Sequence, residues 1–162
     1  MIIRKAELRD LGKLTEIYNY EVTNGVATFD IGEKSYEDRL KWFSEHKDHY
    51  PMLVAESEGE VTGYATLSQY RIRAAFNSTV EISVYIDKNH RKRGIATALM
   101  EAILKLAKED EFIHTVVAVI TSENEVSIRL HEKFGFTYCG EIKEVGKKFG
   151  RYLGTTMMQL IV

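Results

Sequence analysis

The sequence predicts a single α/β domain with a mostly antiparallel sheet, its elements in the order β-α-α-β-β-β-α-β-α-β-β. Three observations carry that prediction. Short apolar runs of strand length stand between segments whose apolar residues recur at helical spacing. Two of those runs, MLVAES and VTGYATLSQY, flank Glu58-Gly59, which is the pattern of a hairpin. A later run, STVEISVYI, leads through a basic cluster into a long amphipathic segment and then into FIHTVVAVI, the layout of a right-handed crossover.

Each element has its own reason. IIRKAEL (2–8) alternates weakly and reads as a strand. Asp10 is placed to N-cap a helix carrying Leu11, Leu14, Ile17, Tyr18 and Val22 on one stripe. Ser35 caps a second helix whose inner face would hold Tyr36, Leu40 and Phe43. The hairpin strands cover 52–57 and 61–70, with Pro51, the single proline, at the start of the first. In the strand 78–86, Val80, Ile82, Val84 and Ile86 share one face, and Glu81 falls on the other. A helix from 94 to 109 has Ile95, Leu99, Ala102, Ile103 and Leu106 as its apolar stripe. The run 112–120 reads as a buried strand, and Ser122 or Asn124 begins a short helix that ends at Phe134, where Gly135 supplies the stop. Strands near 136–143 and 154–162 close the chain around a basic, Gly-rich loop.

Composition narrows the function. A chain of 162 residues, 44% hydrophobic and 28% charged, fits one globular domain spanning 1–162. Lys plus Arg number 22 against 24 Asp plus Glu, so the net charge of -2 argues against a nucleic-acid partner. Cys139 is the only cysteine, which excludes an internal disulfide; it reads as a small buried apolar residue. The start, MIIRKAELRD, has no apolar stretch of signal-peptide length, and no run reaches membrane-spanning length. The expectation is a cytoplasmic protein with no membrane partner.

The cluster HRKRGIATAL (90–99) is the most informative stretch. A strand running into R-x-x-G-x-A and then a helix describes an anion site. The amides of a helix's first turn lack intrahelical partners, and the helix dipole adds positive potential. Gly94 permits close backbone approach, Ala96 leaves room for a bulky guest, and Arg91, Lys92 and Arg93 add charge at the rim. A phosphate or pyrophosphate suits such a site; a solvated loop before an ordinary helix is the alternative. Other phosphate and metal motifs fail on spacing. Gly140 and Gly146 are one residue too far apart for a Walker loop, no G-x-G-x-x-G occurs, and His131-Glu132 has no second His downstream.

R-x-x-G-x-A after a strand resembles the acyl-coenzyme A loop of the GNAT acetyltransferase superfamily. IYNYEVTNGVATFD, DRLKWF, TVEISVYIDKNHRKRGIATALMEAIL, VVAVI, NEVSIRLHEKFGF and EVGKKFGRYL are similar, in this order, to its phosphinothricin and methionine sulfoximine acetyltransferase branch. The resemblance implies a sheet splayed between strands four and five, with acetyl-CoA as co-substrate and no metal. It places Val84, Tyr85 and Ile86 along the pantetheine arm, chiefly through backbone groups of Val84 and Ile86. The amides of Arg93, Gly94, Ile95, Ala96 and Thr97 would hold the pyrophosphate, with Arg91 and Lys92 beside them. Asn124 and Ser127 match positions near the far end of the arm; with His131 they form one polar stripe of a helix.

The resemblance implies Glu81 as general base, His131 as a second proton-transfer group of either sense, and the Val84 amide as oxyanion donor. Arg71 and Arg73, in the loop before the Glu81 strand, suit a carboxylate-bearing acceptor through bidentate pairing. Phe29, Phe76 and Thr79 match pocket-lining positions, and Lys147, Phe149 and Gly150 match a late loop that approaches a dimer partner. Ser78 departs from the aromatic residue that the phosphinothricin enzymes tend to carry there. The expectation is direct acetylation of the α-amino group of a small amino acid analogue by a homodimer. A peptide or protein N-acetyltransferase, or a non-catalytic acyl-CoA sensor, is the alternative.

Overall fold

The computed structural model describes residues 1–162. Its elements follow the predicted order: β1 (Ile2–Lys5), α1 (Leu11–Asn24), α2 (Tyr36–Ser44), β2 (Met52–Ser57), β3 (Glu60–Gln69), β4 (Thr79–Ile86), α3 (Ile95–Glu109), β5 (Thr115–Thr121), α4 (Glu125–Lys133), β6 (Thr137–Lys148) and β7 (Arg151–Ile161). One sheet holds every strand, in the order β1-β2-β3-β4-β5-β7-β6. All neighbours are antiparallel except β4 and β5, which α3 connects as a crossover. No helix is long and apolar enough to cross a membrane.

The parallel pair is short. Only 79–81 and 115–117 are in register, after which β4 and β5 part. The edge that each β4 residue turns to this opening follows from two bonds. The Thr115 amide donates to the Ser78 carbonyl (3.2 Å), so even-numbered residues face β5. The Asp87 amide donates to the Thr62 carbonyl (2.9 Å), so odd-numbered residues face β3. Backbone groups of Val84 and Ile86 therefore line the opening. The same alternation sends the Val80 and Ile82 side chains into the main core with Leu99, Met100 and Ile103 of α3, and turns Glu81, Ser83 and Tyr85 to the other face.

Several local expectations change. β1 ends at Lys5 rather than 8, because the Asp10 carboxylate accepts the Glu7 amide (2.8 Å) and pairs with Arg4 (2.7 Å), bending the chain into a turn. Asp10 thus does not cap α1 with its side chain. Ser35 does cap α2, accepting the Asp38 amide at 3.1 Å. The buried face of α2 is different from the one expected: Tyr36 and Leu40 are exposed, while Arg39, Trp42 and Phe43 turn inward. On α3, Leu106 is exposed and Leu104 and Ala107 complete the buried stripe. β5 starts at Thr115, leaving Phe112 exposed, and Cys139 is exposed on β6 rather than buried.

The largest correction concerns the last two strands. The stretch read as a loop is paired as a ladder, with Gly146 opposite Leu153 and Lys148 opposite Arg151. Phe149 and Gly150, both at positive φ (52° and 73°), make the two-residue turn that suits a twisted hairpin. Gly146 is required there, since a Cβ would run into the Phe29 ring. Lys148 is buried, and its Nζ donates to the carbonyls of Thr28 (2.9 Å) and Glu21 (3.2 Å), tying the hairpin to the end of α1.

Candidate active site

A cavity of about 580 Å³ opens on the face of the sheet away from α3. Its floor is a ladder of paired side chains, with Tyr64 opposite Tyr85, Thr66 opposite Ser83, and Ser68 opposite Glu81. Phe29 and Asp30 from the α1–α2 connection, and Arg39 and Trp42 from α2, build the walls. Burial raises the Glu81 pKa above the ordinary carboxylate range, and no hydrogen bond or cation within the chain offsets that push. Such a carboxylate is a stronger proton acceptor than a solvated one.

The remaining wall charges are mostly matched. Asp30 accepts from the Tyr18 hydroxyl (2.5 Å) and pairs with Lys34 (3.4 Å), while Asp38 accepts the Ser35 amide (3.1 Å). The Tyr64 and Tyr85 rings stack at 5.4 Å, and Tyr18 meets Tyr85 edge-on at the same distance. Burial first, then the Asp30 carboxylate, pushes the Tyr18 hydroxyl up to about 12, and burial likewise raises Tyr64 and Tyr85, so these phenols stay neutral.

The corner that the sequence suggests for an anion lies at the start of α3. Gly94 takes φ 77°, and no atom lies within 4 Å of where its Cβ would be. The first intrahelical bond runs from the Ala98 amide to the Gly94 carbonyl (3.1 Å), which leaves the Ile95, Ala96 and Thr97 amides without partners in the helix. Lys92 and Arg93 are exposed beside them. Arg91 is already paired with the Glu21 carboxylate, so its charge is shared with α1. Asp87, which no sequence motif singles out, sets the loop. Burial alone would raise its pKa, but the Asn89 amide (2.8 Å), His90 (3.1 Å) and Lys13 (3.0 Å) overcome this and hold it at about 2.

On α4, the Asn124 side chain caps the helix by accepting the Ser127 amide (3.2 Å). His131 is buried, edge-on to Phe136 at 5.0 Å. Its Nδ1 lies 2.8 Å from the Ser127 carbonyl, an acceptor, so Nδ1 carries the hydrogen and Nε2 is left buried without a partner. Burial lowers its pKa against the pull of that carbonyl, which keeps the ring neutral. A ring in this state accepts a proton at Nε2 rather than delivering one from it.

Of the expected substrate residues, Phe29 lines the cavity. Thr79 pairs with Thr115 at the start of β4. Arg71 and Arg73 are exposed in the preceding loop, the Arg71 guanidinium lying over Tyr70 (5.0 Å) and Phe76 (5.4 Å). Tyr18, Arg39, Trp42 and Tyr64 were not foreseen as cavity residues. No group of three or more His, Cys, Asp or Glu side chains is placed to hold a metal ion.

A sheet opened beside free helix-start amides, with a desolvated carboxylate on the adjoining strand, is the arrangement of an acyl-transferring enzyme. Residues 3–157 match the family model described as the acetyltransferase (GNAT) domain; the chain belongs to this family and is an N-acetyltransferase. It is 39% identical over 161 residues to an L-methionine sulfoximine/L-methionine sulfone acetyltransferase of Salmonella typhimurium, covering 99% of this chain and 94% of the relative. Among solved structures, a GNAT superfamily phosphinothricin acetyltransferase from Sinorhizobium meliloti, in complex with acetyl-CoA, superposes with a TM-score of 0.94 at 36% identity, covering 99% of this chain and 88% of that one. A ribosomal-protein-alanine N-acetyltransferase from Brucella melitensis superposes at 0.96 with 39% identity over 100% of both chains.

Proposed function

We propose that the protein transfers the acetyl group of acetyl-CoA directly to the α-amino group of a small amino acid analogue of the methionine sulfoximine, methionine sulfone or phosphinothricin type. The observation that carries this reading is Glu81, unpaired and desolvated on the floor of a cavity of about 580 Å³ beside the β4–β5 opening. The names of the Salmonella and Sinorhizobium relatives support the acceptor class.

The residues present fit acetyl-CoA. The amides of Ile95, Ala96 and Thr97 and the open space over Gly94 suit a pyrophosphate, and the β5-facing edge of Val84 and Ile86 suits an extended amide-bearing arm. Acetyl-CoA supplies the acetyl thioester. Glu81 takes the proton that an ammonium must lose before it can attack, and its raised pKa brings it closer to that task. The Val84 amide faces negative charge developing on the acyl oxygen, a contribution on the order of 2.7–4 kcal/mol. His131, neutral with Nε2 bare, takes the second proton, which the nitrogen sheds on bonding to the acyl carbon, and returns it to the thiolate released as the carbon–sulfur bond breaks. Arg71 and Arg73 guide the acceptor's carboxylate at the cavity's approach, and a homodimer forms through the exposed β6–β7 hairpin.

Acetylation of a protein N-terminus is the second reading, favoured by the name of the Brucella relative. The cavity's size, that of a single small molecule, argues for the first. Thiol release from acetyl-CoA, measured against methionine sulfone, methionine sulfoximine, phosphinothricin and an alanine-started peptide, separates the two. The free amino acid analogues are expected to turn over and the peptide to lag. Glu81→Gln should lower kcat by about 10²–10⁴-fold, the usual worth of a positioned general base. Full turnover by Glu81→Gln, or a preference for the peptide, would overturn the corresponding part.

A further inference from the structure

One charged group of the cavity remains unexplained. Arg39 is only 4% exposed, and its guanidinium is layered between the rings of Trp42 (3.5 Å to the centroid) and Tyr18 (4.5 Å). Its single hydrogen bond runs from Nη2 to the Tyr64 hydroxyl (3.3 Å); Nε is buried with no partner. No carboxylate pairs with it: Asp30 is engaged by Tyr18 and Lys34, and Asp38 by the α2 cap. Burying a guanidinium is unfavourable unless an anion or a set of acceptors meets it, and two ring faces offset only part of that cost. Arg39 and Glu81 are thus the two charged groups of this cavity that the chain leaves unmatched.

Register shows which end of a guest each would meet. Tyr64, which holds the guanidinium, stands opposite Tyr85, whereas Glu81 stands opposite Ser68. The two stations are four residues apart along one strand, about 13 Å between Cα atoms at strand rise. An acceptor whose amine rests at Glu81 carries its α-carboxylate one carbon away, near that same end. Only the tip of its side chain extends toward the guanidinium.

We propose that Arg39 is a specificity-determining residue that binds oxygen atoms at the tip of the acceptor's side chain, of the sulfone, sulfoximine or phosphinate kind. The planar fork takes two such oxygens, while a thioether, a weak acceptor, leaves it unmatched. This inference rests on the amino-acid reading above.

The test compares methionine sulfone with methionine, which lacks the two oxygens, in the wild type and in Arg39→Gln. The wild type is expected to prefer the sulfone. Arg39→Gln should lower kcat/KM for the sulfone about tenfold to a hundredfold more than for methionine, as the loss of a charge-assisted hydrogen bond implies. Tyr64→Phe, which frees the guanidinium without changing the ring, should move the same ratio in the same direction by a smaller factor, and it stands in if Arg39→Gln does not fold. Equal losses for both acceptors in these variants would make Arg39 a packing residue and overturn the inference alone. A wild type that acetylates neither acceptor would take down the amino-acid reading and this inference with it.

Discussion

Glu81 is a carboxylate that the fold holds in an unfavourable place, and this has a consequence for stability. Its pKa is raised in the folded chain because burial disfavours the charge, while in the unfolded chain it keeps its ordinary value. Between those two values the folded state binds more protons than the unfolded one, so stability falls as pH rises through that interval. Glu81→Gln removes the penalty. The variant is expected to melt above the wild type at pH 8 and to lose that advantage at pH 4, below the ordinary carboxylate value. Thermal scans at the two pH values check it, and a wild type that is the more stable at pH 8 would show the carboxylate to be matched. Strand parity sets Glu81 opposite four apolar residues, a pattern that by itself reads as a solvent-facing carboxylate; only the family resemblance singles it out. Arg39 was not legible, because in YEDRLKWFS a basic residue amid charged neighbours reads as solvent-facing; only the flanking Trp42 hinted at a buried face.

Elements were readable wherever apolar spacing and end signals agree. Ser35 before α2, Glu58-Gly59 between β2 and β3, and the stripe of α3 all led to the right element. The hairpin of β6 and β7 extends further than the sequence suggests because EVGKKFG lacks alternation and two glycines and two lysines outnumber Val145 and Phe149; its pairing is fixed by tertiary contacts, Gly146 on Phe29 and Lys148 on two carbonyls. The proposed anion corner combines both kinds of information: sequence marks the glycine, and structure supplies its φ of 77° and its open side. Gly94→Ala should therefore cost roughly 1–2 kcal/mol of stability through backbone strain alone. It should also raise the KM for acetyl-CoA several-fold more than the KM for the acceptor, because the added Cβ points into the space proposed for the pyrophosphate. Denaturant titration and two-substrate kinetics read the two effects separately; equal shifts in both KM values would place the cofactor's phosphates elsewhere.

At the scale of the whole molecule, the exposed apolar side chains are unevenly spread. Tyr138, Ile142, Val145, Phe149 and Tyr152, all more than half exposed, belong to the β6–β7 hairpin, and β6 is the last strand of the sheet. An edge strand with exposed aromatic and branched residues invites a partner, and a two-fold axis lets the same patch serve both copies. The dimer proposed above buries this hairpin, and it also reaches the active site, because Gly146 of the hairpin buttresses Phe29 in the cavity wall. Light scattering at micromolar concentration should give about twice the chain mass of 18.6 kDa. Tyr138→Lys combined with Ile142→Lys, both on exposed positions, should return a folded monomer with a higher KM for the acceptor and a smaller change in the KM for acetyl-CoA. A wild type of single-chain mass would remove the dimer. A monomeric double variant with unchanged acceptor KM would keep the dimer but break its link to Phe29.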